Sequence, residues 1–156
     1  MLKEIRKKSG MTQEEAATYL GISRRTYLKY ENNDDLQKTL KGQYMIDALK
    51  KVNLIDEEHG VLTIEKIKEV CTEVFKDYNI KYCYLFGSYA KGSAKENSDI
   101  DLLVYLDEDN PLRFFELIEV LREKSKKRID LLDGRHISED KNLLYEILTT
   151  GVKIYG

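Results

Sequence analysis

Up to residue 75 the apolar positions fall at helical spacing. Leu2 and Ile5 share one face of a segment spanning 1–9, and Ala16, Ala17 and Leu20 mark a second helix. Tyr44, Met45, Ala48, Leu49 and Val52 suggest a closing helix over Tyr44–Leu54, whereas Asn33–Gln43 fits a helical pattern poorly. Ile64, Ile67, Val70, Cys71, Val74 and Phe75 form one side of an amphipathic helix that Thr63 caps. From Ile80 the pattern turns strand-like. Strands are predicted over Ile80–Phe86, Asp99–Leu106, Arg128–Leu132 and Val152–Tyr155. A helix beginning at Pro111 and another over Glu139–Thr149 separate the later strands, and a short helix follows Phe86. The order is a run of helices followed by α-β-(α)-β-α-β-α-β, an α+β arrangement.

The polar positions between Thr12 and Glu31 sharpen the first part. Thr12 and Glu15 form a capping box, Gly21 tolerates the positive φ that ends a helix, and Ser23 caps the next one, Arg24–Glu31. Two helices joined by a tight glycine turn make a helix-turn-helix. Small Ala16 and Ala17 let the pair approach closely, and Arg24, Arg25, Leu28 and Lys29 project from the second helix, where cations suit phosphates and guanine edges.

Composition then sets bounds. The chain has 156 residues, 42% hydrophobic and 35% charged, which fits a folded protein rather than a disordered one. Lys plus Arg total 26 and Asp plus Glu 28, so the net charge of -2 excludes a whole-chain polycation. Residues 1–33 nevertheless hold seven basic against four acidic residues, a net +3, and the remainder is acidic. That asymmetry predicts two domains, 1–56 and 61–156, joined at the polar run Ile55–Gly60. Cys71 and Cys83 lack metal-ligand spacing and are expected to be reduced, buried fillers, and the two histidines, His59 and His136, stand too far apart for a zinc site. No run approaches the ~18 apolar residues of a membrane span, and no apolar run follows the early charges, so the expected location is cytoplasmic.

The candidate chemistry lies in the strands. Asp99 and Asp101 point to one strand face while Ile100 points to the other, and Asp130 sits between apolar Ile129 and Leu131. If the third strand lies beside the second, three carboxylates converge. Two bare carboxylates 4 Å apart repel by about 4 kcal/mol at an effective dielectric near 20, so such a cluster calls for cations. All-oxygen ligands favour Mg²⁺, and paired ions suit a phosphate-bearing substrate. Gly87 and Ser88, at a strand-to-helix turn, offer close backbone approach and a hydroxyl to phosphates. An Asp-x-Asp pair alone is uninformative, since Asp107 and Asp109 form another and Gly92-Ser93 repeats the Gly-Ser pair. The joint spacing is specific: ten residues, Tyr89–Ser98, separate Gly87-Ser88 from Asp99-Ile100-Asp101. Asp133 is a rival for the third acid, and Asp130 is preferred because apolar residues bracket it.

Two resemblances attach to these motifs. Met11–Ala17 with Leu20–Thr26 and Tyr30–Asn32 resembles the Cro/repressor-type (XRE) helix-turn-helix family over roughly residues 1–33. It implies that Gln13 grips DNA backbone, that Ser23, Arg24, Arg25, Leu28 and Lys29 lie at the DNA face, that Arg6 and Glu31 pair, and that the protein works as an oligomer on operator DNA. Leu85–Gly92 with Ser98–Val104, Arg128–Leu131 and Gly151–Tyr155 resembles the minimal nucleotidyltransferases (MNT) of the polymerase-beta superfamily over about 62–156. It implies a small domain with a mixed sheet flanked by helices. Asp99, Asp101 and Asp130 would bind two Mg²⁺ ions and carry catalysis, with Asp130 helping to activate the acceptor. Gly87, Ser88 and Lys91 would hold ATP, Lys91 standing where the family often has Arg. Residues 62–156 leave no separate domain to enclose a small acceptor, so a macromolecular acceptor is expected. Small MNT proteins are commonly antitoxins that transfer AMP to a tyrosine of a HEPN-type ribonuclease toxin, and an attached helix-turn-helix suits autoregulation of the operon. Two other functions are compatible with the sequence: a DNA-binding regulator whose second domain is catalytically inactive, and an aminoglycoside-type small-molecule nucleotidyltransferase.

Overall fold

In the computed structural model, which describes residues 1–156, the chain divides into two units, Met1–Leu54 and Ile55–Gly156. The first is five helices: α1 (Leu2–Lys8), α2 (Gln13–Tyr19), α3 (Arg24–Glu31), α4 (Asp34–Gln37) and α5 (Leu40–Lys50). The capping box forms as the sequence predicts. Thr12 Oγ1 accepts from the Glu15 N–H at 3.2 Å, and Glu15 Oε2 accepts from the Thr12 N–H at 2.7 Å. Gly21 takes φ 64° and Ser23 caps α3. Leu2, Ala16, Ala17, Tyr27, Met45, Ile46 and Leu49 make the core.

One ion pair, Arg6 with Glu31, is buried inside this unit. The Glu31 carboxylate is 1% exposed and accepts from Arg6 Nε at 2.7 Å, Gln13 Nε2 at 2.7 Å and the Tyr27 hydroxyl at 3.3 Å. Arg6 also donates from Nη1 to the Met11 carbonyl at 2.8 Å. Burial alone would raise the Glu31 carboxyl, but the hydrogen bonds from Arg6 and Gln13 outweigh it and hold it below the ordinary range. Helices α1, α2 and α3 are thus cross-linked at one point.

The structure corrects the expectation for Asn33–Gln43. Helix α4 lies within that stretch, and α5 begins at Leu40 rather than Tyr44. Caps, not apolar spacing, specify both. Asn33 Oδ1 accepts from the Asp35 and Leu36 N–H groups at 3.0 and 3.1 Å, and Thr39 Oγ1 accepts from the Gly42 N–H at 3.2 Å. Gln37 is buried as a polar tie: its Oε1 accepts from the Leu2 N–H and its Nε2 donates to the Tyr30 carbonyl, both at 3.0 Å. Tyr44, expected on the apolar face, is 68% exposed, and Ile46 fills the core instead.

The second unit contains α6 (Ile64–Val74), β1 (Ile80–Phe86), α7 (Gly87–Lys91), β2 (Ile100–Leu106), α8 (Pro111–Ser125), β3 (Ile129–Asp133), α9 (Lys141–Thr150) and β4 (Val152–Tyr155), with 3-10 turns at Phe75–Asp77 and Gly134–Glu139. The sheet order is β3-β2-β1-β4. Strands β2 and β3 are parallel and the other pairs antiparallel, so the sheet is mixed. Cys83, Leu85, Ile100, Leu102, Val104 and Leu131 face α6 and α8, which contribute Ile67, Val70, Cys71, Val74, Leu117 and Leu121. Phe86, Leu103 and Ile147, with Tyr84 and Leu132 beside them, form a smaller cluster on the opposite face. Alternation therefore puts Asp101, between Ile100 and Leu102, on this second and thinner-covered face. Asp99 falls one residue before β2, and β3 is shifted one residue from its predicted span. Helix α9 starts at Lys141 rather than Glu139, because Asp140 Oδ1 caps it through the Asn142 and Leu143 N–H groups. Both cysteines are free and buried. No helix is long and apolar enough to cross a membrane.

The buried carboxylate makes a stability prediction. Arg6→Met leaves Glu31 charged and unpaired in the core and costs the helical unit about 3 kcal/mol. Adding Glu31→Leu removes the stranded charge and recovers part of that loss. Urea unfolding followed by circular dichroism reads both, and a single-variant cost below about 1 kcal/mol would show that water compensates the charge.

Candidate functional site

Strand β1 ends at Phe86, whose register partner on β2 is Asp101. The chain then turns through Gly87 at φ 67°, a conformation that side chains with a Cβ rarely adopt. Space is the second constraint. A Cβ on Gly87 would lie 2.1 Å from Asp101 Oδ2 and 2.9 Å from its Cγ. The missing side chain of Gly87 is thus the slot that the Asp101 carboxylate occupies. The sequence suggests this glycine for phosphate approach; the structure adds that it makes room for the acid. Ser88 follows, half-buried in the first turn of α7, and its carbonyl accepts from the Ser93 N–H at 2.9 Å.

Asp101 and Asp130 are register partners on the parallel pair β2–β3. Both alternate with residues of the main core, so both point away from it, from strands spaced by about 4.8 Å. The Asp101 carboxyl is pushed up to about 6, first by burial and then by the negative charges of Asp130, Asp99 and Glu146, with Lys91 acting against them. This is the electrostatic signature of a carboxylate group short of positive charge.

The expected three-way convergence is only partly formed. No three acidic, histidine or cysteine side chains come together in a set able to hold a metal ion. Asp99 is engaged elsewhere: Arg128 Nε donates to its Oδ1 at 2.7 Å. A guanidinium 2.7 Å away is a stronger local attraction than two like-charged carboxylates. Lys91, expected at phosphate, reaches Glu146 of α9 at 2.5 Å. The rival acid Asp133 accepts from the Arg135 N–H at 3.0 Å and from its guanidinium, which fixes the turn after β3. Of the decoy pair, Asp107 meets Lys81 at 3.0 Å and Asp109 is fully exposed. An open cleft of about 370 Å³ is lined by Asp99, Arg122, Arg128 and Asp130 among others, but not by Asp101.

Sequence reasoning missed two residues here, Arg128 and Glu146. Arg128 carried a usable signal, since strand alternation places it on the side of Asp130, two positions later. Glu146 carried none, because its position depends on how α9 returns to the sheet.

On the helical unit, Arg24, Arg25 and Lys29 are exposed and Leu28 is half-buried on α3. Arg24 Nε lies 3.7 Å from the Glu14 carboxylate, an exposed pair that competes only weakly with a phosphate. Ser23 spends its hydroxyl on capping, accepting from the Thr26 N–H at 3.2 Å. Gln13, expected at the DNA backbone, gives one amide hydrogen to Glu31.

Residues 65–156 match the family described as Polymerase beta, Nucleotidyltransferase, and residues 2–41 match a helix-turn-helix family. A candidate protein adenylyltransferase of Methanocaldococcus jannaschii is 40% identical over 82 residues, which is 48% of this chain and 82% of that protein. The protein adenylyltransferase MntA of Thermococcus cleftensis is 38% identical over 78 residues, 47% of this chain and 79% of the relative. A crystal structure of a toxin-antitoxin with AMP-PNP contains a chain that aligns at TM-score 0.49 and 30% identity, covering 61% of this chain and 74% of that one.

The raised Asp101 carboxyl has a consequence for stability. A group whose folded pKa, about 6, exceeds the unfolded carboxylate value favours the folded state when protonated. That contribution is complete below about pH 4 and is lost as pH rises through about 6. Without divalent ions, Asp101→Asn is therefore expected to raise the thermal midpoint at pH 7.5, with a much smaller gain at pH 4. Calorimetry at the two values checks it; an equal shift at both would remove the like-charge account.

Proposed function

The chain belongs to the polymerase beta nucleotidyltransferase family, and on that premise we propose that its second unit transfers AMP from ATP to a tyrosine hydroxyl of a HEPN-type toxin while its first unit binds operator DNA. The observation that carries the catalytic part is the rung formed by Asp101 and Asp130, with the Asp101 carboxylate seated against Gly87. The names of the adenylyltransferase relatives support AMP as the group moved and a protein as the acceptor. The toxin rests on the resemblance to MNT antitoxins, and the cytoplasm is the compartment consistent with operator binding.

The donor set is oxygen only, and its unbalanced negative charge fits a hard divalent ion such as Mg²⁺. Asp101 and Asp130 would hold it, with Asp99 as third ligand once its second oxygen faces the site. Bound there, such an ion would supply neutralisation of charge developing on the phosphate oxygens. Gly87 supplies backbone and Ser88 a hydroxyl to the triphosphate. Lys91, whose charge acts on Asp101, would exchange Glu146 for a phosphate oxygen. Asp130 orients the acceptor hydroxyl and takes its proton. The bond from the acceptor oxygen to the α-phosphorus forms as the bond to the β-phosphate oxygen breaks, and pyrophosphate leaves.

On the helical unit, Arg24, Arg25, Leu28 and Lys29 form the DNA face, with Gln13 and Ser23 at its edge. One such face covers a single half-site, so an oligomer presenting two is proposed.

Two experiments test these assignments. With a HEPN-type toxin and Mg²⁺, label from α-³²P ATP should move to a tyrosine peptide of the toxin, label from γ-³²P ATP should not, and Asp101→Ala should reduce transfer to background. Intact ATP bound without any transfer would favour the regulator instead. On operator DNA, Arg24→Ala with Arg25→Ala should weaken binding and flatten the salt dependence by about one unit per cation that touches phosphate. An unchanged slope would move the DNA face elsewhere.

A further inference from the structure

The peptide Asp56–His59, a strap at the start of the second unit, is held against the rest of that unit by three cations, Arg122, Lys127 and Arg128. Asp56 Oδ1 accepts from the Glu58 and His59 N–H groups at 2.9 and 2.8 Å, which fixes the strap's own turn. Arg122 Nε donates to Glu57 Oε1 at 2.7 Å, and Glu57 Oε2 lies 3.8 Å from Arg128 Nη1. Lys127, at 0% exposure, donates from Nζ to the His59 carbonyl at 2.9 Å and to the Glu96 carbonyl at 2.5 Å. A lysine buried so completely is expensive unless its hydrogens are satisfied, so these two carbonyls fix the strap against the loop that precedes β2.

Arg128 completes the arrangement and reaches further. Its Nη1 donates to Glu58 Oε1 at 2.9 Å, its Nη2 to the Asn97 carbonyl at 2.8 Å, and its Nε to Asp99 Oδ1 at 2.7 Å. One planar fork with donors in fixed directions therefore joins strap, loop and Asp99. Moving any one partner turns the plane and disturbs the other two. Only one oxygen of Asp99 is taken, and the other is left for a ligand.

We propose that Arg128 is a positioning residue for Asp99 and that the strap carboxylates Glu57 and Glu58 set its orientation, so that docking of the strap tunes the affinity of the acidic site for its divalent ion. This rests on the assignment of Asp99, Asp101 and Asp130 as the metal site. Partners that fix a ligating carboxylate typically change metal affinity by about 10–100-fold when removed. The strap residues act one step further out and act in the same direction with smaller effect. No direct contact links Glu58 to a metal ligand, so an effect of Glu58 on the ion can travel only through Arg128.

The test is Mn²⁺ binding to the full chain with a non-hydrolysable ATP analogue, followed by electron paramagnetic resonance, with circular dichroism melts to confirm folding. Arg128→Ala should weaken Mn²⁺ about tenfold. Arg128→Lys should recover part, since one ammonium cannot hold all three partners in one plane. Glu57→Gln with Glu58→Gln should weaken Mn²⁺ measurably, and should lose that effect when Arg128 is already Ala. Tighter binding by Arg128→Ala, or wild-type affinity in the Glu57/Glu58 variant, would overturn the proposal while leaving the metal site intact. If the wild-type chain binds no Mn²⁺, or Asp101→Asn binds as well as wild type, the metal site itself falls and the proposal with it.

Discussion

Asp101 and Asp130 occupy one rung of a parallel strand pair, and two negative charges at strand spacing repel. Much of the second unit's local design accommodates that repulsion. Gly87 gives up a side chain so that the Asp101 carboxylate can be housed at all. Lys91 stands near enough to lower the cost and is itself partnered by Glu146. Arg128 takes up the third carboxylate, Asp99, and keeps it from adding its full charge to the rung. The result is a site that is folded and electrostatically incomplete, a state in which a divalent ion or a proton on Asp101 is favourable. Sites of this kind lower stability for the sake of binding.

The fold can support the strain because the two sheet faces are unequal. The face packed by α6 and α8 holds most of the apolar surface, from Ile67 and Val74 to Leu117 and Leu121. The second face has only the small cluster around Phe86, Leu103 and Ile147, which ends where the acids begin. Charged groups on that face stay close to water and to ligands, whereas one residue of register shift in β2 would drive Asp101 into the main core. The alternation of Ile100, Leu102 and Val104 with Asp101 and Leu103 therefore fixes the position of the site as firmly as it fixes the strand.

The sequence made some of this legible and could not have made the rest so. Features written in local residue chemistry read directly: the capping box at Thr12, the positive φ at Gly21, the Ser23 and Thr63 caps, and the Gly87-Ser88 spacing to Asp99 and Asp101. Helix α4 was missed because its signal lies in the Asn33 cap and the buried Gln37 rather than in apolar period. Ion-pair choice was not legible. Whether Asp99 faces a metal or Arg128, and whether Lys91 faces a phosphate or Glu146, depends on residues far apart in the chain and on which ligand is present. The reason for Gly87 was half legible: its φ can be guessed from a turn, but the carboxylate filling its Cβ position comes from another strand.

The two units handle buried charge in opposite ways, and the contrast separates structure from function. Glu31 is more deeply buried than Asp101, yet its carboxyl is held below the ordinary range because Arg6, Gln13 and Tyr27 all donate to it. Both carboxylate oxygens are occupied, so that charge serves as a cross-link among three helices. Asp101 loses water to burial and has mainly like charge around it, and its carboxyl moves the other way. A satisfied buried carboxylate is architecture; an unsatisfied one beside other carboxylates is an invitation to a cation. Lys127 belongs with Glu31 in this respect, since both of its carbonyl partners are in place, and it fixes the strap that carries Glu57 and Glu58. Arg128 lies between the two kinds: each of its three nitrogens donates, but one of them donates to Asp99, a residue with another use.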